Sequence, residues 1–194
     1  MKRIAIFASG NGSNAENIIK YFQERGKSVE VALVICNRRE AGVYERANRL
    51  GIPIIHIPKS EINNNAERVL EVLREYKIDF IVLAGFMLMV PDYLLQAYPN
   101  RIINIHPSLL PKFGGKGMHG HNVHKAVVEA GEKESGITIH YVNELCDGGE
   151  IIFQAKTEIF PEDTPDDVET KIHSLEKEHF PRVIEEVVER IFGE

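Results

Sequence analysis

Short apolar runs alternate with segments whose apolar residues return every three to four positions, from the first residues to about position 106. The runs are RIAIFA (3–8), VEVALVIC (29–36), IPIIHI (52–57), DFIVLAGF (79–86) and RIINIH (101–106), each too short for a helix and rich in β-branched residues. Between them, 14–25 aligns Ile18, Ile19 and Phe22 on one helical face, and 43–51 reads as a helix closed by Gly51. Residues 66–77 align Val69, Leu70, Leu73 and Tyr76, and a short helix is expected over 91–97. Strands that are apolar at nearly every position, alternating with amphipathic helices, predict a mostly parallel sheet covered on both faces. The expected architecture is α/β: a single Rossmann-like domain over 1–194, with a twisted sheet of about seven strands.

After Pro107 the pattern changes. Residues 111–121, PKFGGKGMHGH, form a Gly-rich cationic loop before a helix at 122–130. SGITIHYV (135–142) and EIIFQAKTEI (150–159) alternate more strictly and read as two further strands. A helix is expected over 164–192, with Thr164 as N-cap, Pro165 in the first turn and Asp167 completing a capping box. Pro181 should kink or divide it.

The strand ending NIHP sets the chemical question. Successive strand residues face opposite sides, so Asn104 and His106 project together while Ile103 and Ile105 take the other face. Two polar side chains at a strand's C-terminal end either bond to nearby backbone or face a ligand. The turn SGNGSN (9–14) opens a helix and suits a phosphate, or needs glycine only for its backbone angles. It is not a Walker loop, and no acidic residue closes the second strand as a dinucleotide ribose would require. Asp147 before Gly148–Gly149 is either turn chemistry or a functional carboxylate, and residues 85–90 are either core or the wall of a pocket for a flat ring. Glu176, charged and in a helix, is expected to be solvated. His119, His121 and His124 have no acidic or cysteine ligand near them in sequence, so no metal is expected.

Charge and cysteine content narrow the class. A net charge of −6 and 29 acidic against 23 basic residues argue against a general nucleic-acid binder. Two widely spaced cysteines imply neither a disulfide framework nor a redox pair, and no stretch is long enough to span a bilayer. A cytoplasmic protein acting on small molecules, as monomer or homodimer, is expected.

The stretches SGNGSN, LAGFM (83–87), NIHPSLLP (104–111), GITIHYV (136–142), DGGEII (147–152) and EHFP (178–181) together resemble the folate-dependent formyltransferases, in that family's order and across nearly the whole chain. SGNGSN points to the branch acting on glycinamide ribonucleotide. The resemblance implies transfer of the formyl group of 10-formyltetrahydrofolate to the amine of 5'-phosphoribosylglycinamide, a step of purine synthesis. It implies catalytic roles for Asn104, His106 and Asp147. The nucleotide would meet Gly12, Ser13, Asn14, Pro107, His173, Ser174, Leu175 and Glu176. The folate would meet Met87, Leu88, Met89, Val90, Asn104 and the loop Asn143, Glu144, Leu145, Cys146 and Asp147. Residues 1–100 would form the nucleotide-phosphate half and 101–194 the catalytic and folate half. Leu88 stands where the family often carries Arg, leaving Lys112 and Lys116 as candidates to meet the folate's glutamate tail, and the 112–121 loop as a candidate lid. Methionyl-tRNA formyltransferases and formyltetrahydrofolate deformylases usually carry a further domain for which 194 residues leave no room, and a non-catalytic nucleotide-binding module would not need His106.

Overall fold

The structure is a computed structural model that describes residues 1–25 and 28–193. Its strands are β1 (Lys2–Ala8), β2 (Val29–Cys36), β3 (Ile54–His56), β4 (Phe80–Leu83), β5 (Ile102–His106), β6 (Glu134–Tyr141) and β7 (Ile151–Glu158). Its helices are α1 (Ser13–Arg25), α2 (Val43–Arg49), α3 (Lys59–Asn64), α4 (Ala66–Glu75), α5 (Asp92–Ala97), α6 (His121–Glu129) and α7 (Pro165–Phe192). They build one seven-stranded sheet in the order β3-β2-β1-β4-β5-β6-β7. The first five strands in that order are parallel, and β6 and β7 continue antiparallel.

The two faces of β1 explain its unbroken apolar run. Ile4, Ile6 and Ala8 join one core cluster with Ile18, Ile19 and Phe22 of α1 and Phe180, Val183 and Ile184 of α7. Ala5 and Phe7 join the opposite cluster with Leu33, Ile35, Val69 and Leu73. Each strand residue is thus buried whichever way it points, which an open, one-sided sheet could not provide.

Several expectations change. α3 is absent from the sequence reading, because KSEINN carries only Ile62 as a buried apolar residue and offers no periodicity. The strand expected over 79–86 ends at Leu83, and that expected over 52–57 shrinks to three residues. Pro181 does not divide the last helix, which runs unbroken for 28 residues behind its Thr164–Asp167 capping box. Phe180, Pro181, Val183 and Ile184 are all buried against the sheet. That packing offsets the roughly 3 kcal/mol an interior proline costs.

Chain order reverses at β1: β2 and β3 extend to one side, then the chain returns to lay β4 on the other. In parallel sheets the crevice outside the strand ends at such a point is where ligands bind. The SGNGSN turn follows β1 and the 84–90 segment follows β4, so both border that crevice.

Candidate active site

The Gly-rich turn is held by its neighbours more than by itself. Gly12 has φ +84°, and a Cβ there would come within 2.7 Å of the Val43 side chain, so only glycine fits. Ser9, one residue past β1, donates from its hydroxyl to Asn37 (2.5 Å) and accepts the Met87 N–H (2.9 Å). This single buried hydroxyl ties the Gly-rich turn to the segment after β4. Beside the turn lies a cavity of about 280 Å³ between α1 and α7, lined by Ser13, Asn14 and Asn17 on one side and His173, Ser174 and Glu176 on the other. Leu175 instead packs against the core.

Glu176 corrects an expectation: it is buried, with 8% exposure, and Asn14 donates its side-chain amide to the carboxylate. Burial pushes its pKa up, opposed by that hydrogen bond and by the nearby His173. A buried carboxylate that lines a polar cavity can accept hydrogen bonds from donors entering it.

Asn104 and His106 project on one face of β5 as the alternation requires. The antiparallel register sets His140 opposite Asn104 and Thr138 opposite His106. The Asn104 amide lies 3.1 Å from His140 Nε2, while His140 Nδ1 donates to the Tyr141 carbonyl at 2.9 Å. With its Nδ1 proton so engaged, neutral His140 accepts from the amide and turns the second amide N–H of Asn104 toward the site. Burial lowers the His140 pKa, and nearby His106 adds to this, against the opposing pull of the Tyr141 carbonyl and Asp147. The neutral form is therefore favoured.

His106 is 4% exposed. Its Nδ1 lies 2.9 Å from Ser108 Oγ, whose own proton is committed to the Lys112 carbonyl at 2.7 Å, so the ring donates. Its Nε2 faces the Met118 carbonyl at 2.9 Å and Asp147 Oδ2 at 3.4 Å. Every neighbour of the two ring nitrogens offers an acceptor oxygen. Asp147 reaches this point because the loop after β6 folds back over the sheet face. The Gly115 N–H donates to its carboxylate at 3.0 Å, and its other oxygen lies 4.0 Å from His140 Nε2. At Gly149 a Cβ would sit 1.6 Å from the Tyr141 carbonyl, so the close return of this loop demands glycine.

The arrangement thus gathers Asn104, His106 and Asp147, and adds His140 and Ser108, to which sequence reasoning gave no role. His140 was detectable: Thr138 and His140 alternate on β6 as Asn104 and His106 do on β5. Met87 (43% exposed), Met89 (52%) and Leu145 (62%) present apolar surface on the 87–90 segment and the 143–147 turn. The Asn143 side chain caps that turn by accepting the Leu145 N–H at 2.9 Å. Lys112 instead faces Glu132 at 3.4 Å, beside a second cavity of about 240 Å³ lined by Leu109, Pro111, Phe113 and Gln154. The expectation that no acidic group lies near the 119–124 histidines fails for His121. Asp166 and Glu169 of α7 bring ligand atoms within 4.8 Å of its ring.

The sequence matches the family described as Formyl transferase over residues 2–184. The chain belongs to that family. It is 44% identical to the phosphoribosylglycinamide formyltransferase of Bacillus subtilis over 191 residues, covering 97% of this chain and 95% of that one. A chloroplastic phosphoribosylglycinamide formyltransferase of Arabidopsis thaliana is 41% identical over 182 residues, 92% of this chain but 62% of the plant protein's length. The crystal structure of glycinamide ribonucleotide transformylase 1 from Geobacillus kaustophilus superposes with a TM-score of 0.87 at 38% identity, covering 97% of this chain and 99% of the other. Among the described residues, no helix of this formyl transferase is long and apolar enough to cross a membrane.

Proposed function

We propose that this formyl transferase moves the formyl group of 10-formyltetrahydrofolate to the amine of 5'-phosphoribosylglycinamide, giving formylglycinamide ribonucleotide and tetrahydrofolate. The observation that carries the reading is the meeting of Asn104, His106 and Asp147 with His140 on one sheet face. A neutral amine adds to the formyl carbon, and negative charge develops on the formyl oxygen. Asn104, aimed by His140, donates its free amide N–H to that oxygen, and His106 stabilises the same charge from Nε2. As the C–N bond to folate breaks, His106 gives a proton to the leaving nitrogen, and Asp147 receives the proton lost by the new ammonium, through water where the distance requires it. The Met118 carbonyl now occupies the acceptor position on Nε2, 2.9 Å away. The 112–121 loop must therefore withdraw for the substrate oxygen to take that place.

Gly12, Ser13 and Asn14 are assigned to the substrate phosphate, at the positive end of α1. His173, Ser174 and Glu176 line the cavity for the ribose and glycinamide groups, with Leu175 contributing backbone only. Pro107, the residue after β5, is assigned to the nucleotide as well. Met87, Leu88, Met89 and Val90 with Asn143, Glu144, Leu145 and Cys146 are assigned to the pterin, for which the exposed methionines and Leu145 offer apolar contact. Lys116 remains the cation assigned to the folate's glutamate tail, because Lys112 is turned toward Glu132. Residues 1–100 carry the phosphate turn and 101–194 the catalytic groups, while the nucleotide cavity draws on both. The protein is assigned to the cytoplasm, acting on these small molecules as a monomer or homodimer.

The test follows consumption of 10-formyltetrahydrofolate by purified protein with and without glycinamide ribonucleotide. Turnover should require the nucleotide, vanish in His106→Ala and fall by about 10²–10³ in Asn104→Ala. Consumption with water alone would assign a deformylase instead, and His106→Ala with unchanged turnover would remove this mechanism.

A further inference from the structure

We propose that Arg46 of α2 is a positioning residue for nucleotide binding, its guanidinium fixing the Asn11–Gly12 peptide and so aiming the N–H groups of the phosphate turn. The inference rests on the reading that Gly12 to Asn14 hold the phosphate. Arg46 Nε donates to the Asn11 carbonyl at 2.9 Å and its Nη2 donates to the Asn11 side-chain oxygen at 2.6 Å. The third edge of the guanidinium, Nη1, is paired with the Glu16 carboxylate. One planar fork thus grips a single loop residue at two points while its other side is anchored in α1, a geometry an ammonium cannot reproduce.

The turn needs such a grip. Gly12 stands at φ +84°, which its lack of a Cβ permits, but the same freedom lets the preceding peptide plane flip at little cost. In a trans peptide the C=O and the following N–H point in opposite directions. Holding the Asn11 carbonyl toward α2 therefore directs the Gly12 N–H away from it. α2 adds a second brace, since the Val43 N–H donates to the Gly10 carbonyl at 3.1 Å.

Glu16 sets the electrostatic side of the device. It lies in the first turn of α1, its own N–H donating to the Gly12 carbonyl at 2.9 Å, where a bare carboxylate would repel a phosphate. Lys20 at 2.9 Å, Arg49 at 2.5 Å and Arg46 all pair with it. Three cations on one carboxylate leave the neighbourhood of the turn positive, so Arg46 both aims the donors and helps cancel the adverse charge.

Initial rates of Arg46→Met and Arg46→Lys, with each substrate varied in turn, test the proposal. Arg46→Met should raise KM for glycinamide ribonucleotide by about tenfold or more, as loss of a charged hydrogen-bonding clamp implies. Its kcat and its KM for 10-formyltetrahydrofolate should stay within about twofold, and Arg46→Lys should recover only part of the nucleotide KM. A merely structural role would move both KM values and kcat together, and that result overturns the proposal, as does an unchanged nucleotide KM. If Arg46→Met does not fold, Asn11→Ala carries the same test: it removes only the Nη2 contact and must raise nucleotide KM with kcat retained. Ser13→Asp separates the underlying reading, because a new negative charge in the turn must weaken nucleotide binding if the phosphate sits there. A Ser13→Asp variant with unchanged nucleotide KM refutes the phosphate assignment. A raised KM there beside an unaffected Arg46→Met refutes the role of Arg46 alone.

Discussion

Replacing Thr138 by Val exchanges one hydroxyl for a methyl of the same shape at a fully buried position beneath residues 107–112, the strap of chain that follows β5. Thr138 Oγ1 donates to the Ser108 carbonyl at 2.7 Å and accepts the Leu110 N–H and the Gln154 amide, both at 3.0 Å. Gln154 keeps a second partner in the Leu110 carbonyl at 3.0 Å, so the substitution strands two groups, the Leu110 N–H and the Ser108 carbonyl. An unsatisfied buried polar group costs about 1–3 kcal/mol, which gives about 2–6 kcal/mol for the pair. Most domains are stable by roughly 5–15 kcal/mol, so the variant should remain folded at low urea and its loss should be measurable. Equilibrium urea unfolding checks it, with Thr138→Ser as the control that retains the hydroxyl and loses one methyl, worth about 1 kcal/mol. Turnover should fall as well, because the strap carries Ser108, the partner of His106 Nδ1. A Thr138→Val protein no less stable than Thr138→Ser would show that these bonds do not hold the strap, and the reasoning would fail.

Three further outcomes are expected. Gly12→Ala places a Cβ 2.7 Å from Val43 at a left-handed backbone position, costing about 2–4 kcal/mol and weakening nucleotide binding, read as thermal midpoint and nucleotide KM. Glu16 is held at a pKa of about 2 against its usual 4.5, first by its hydrogen bond to Lys20, with Arg46 and Arg49 outweighing the opposing effect of burial. Its folded pKa is the lower one, so its contribution, at most about 3 kcal/mol, is complete above pH 4.5 and lost as pH falls toward 2. Wild type should therefore exceed Glu16→Gln in urea midpoint at pH 7 by more than at pH 3, and an equal gap at both would count against it. His140→Phe frees the Asn104 amide from its guide and should lower kcat by about 10–100-fold with nucleotide KM retained, in a steady-state comparison.

The sequence by itself determined the fold class, because near-continuous apolar strands such as β1 can be buried only when helices cover both faces of a parallel sheet. It also determined that Asn104 and His106 project from one face, since a strand's period of two leaves no other arrangement. The chain did not reveal α3, whose one buried apolar residue gives no period, nor the continuity of α7 through Pro181, which depends on packing energy gathered from distant strands. Glu176 reads as a solvated helix charge until α1 is laid against α7 and Asn14 reaches it across 162 residues. The same holds for Asp147, whose turn chemistry becomes site chemistry only when the loop after β6 folds back onto His106 and His140. Local periodicity is written in neighbouring residues and survives reading one chain at a time. Which polar groups meet is fixed by strand order and antiparallel register, and those are decided by long-range packing.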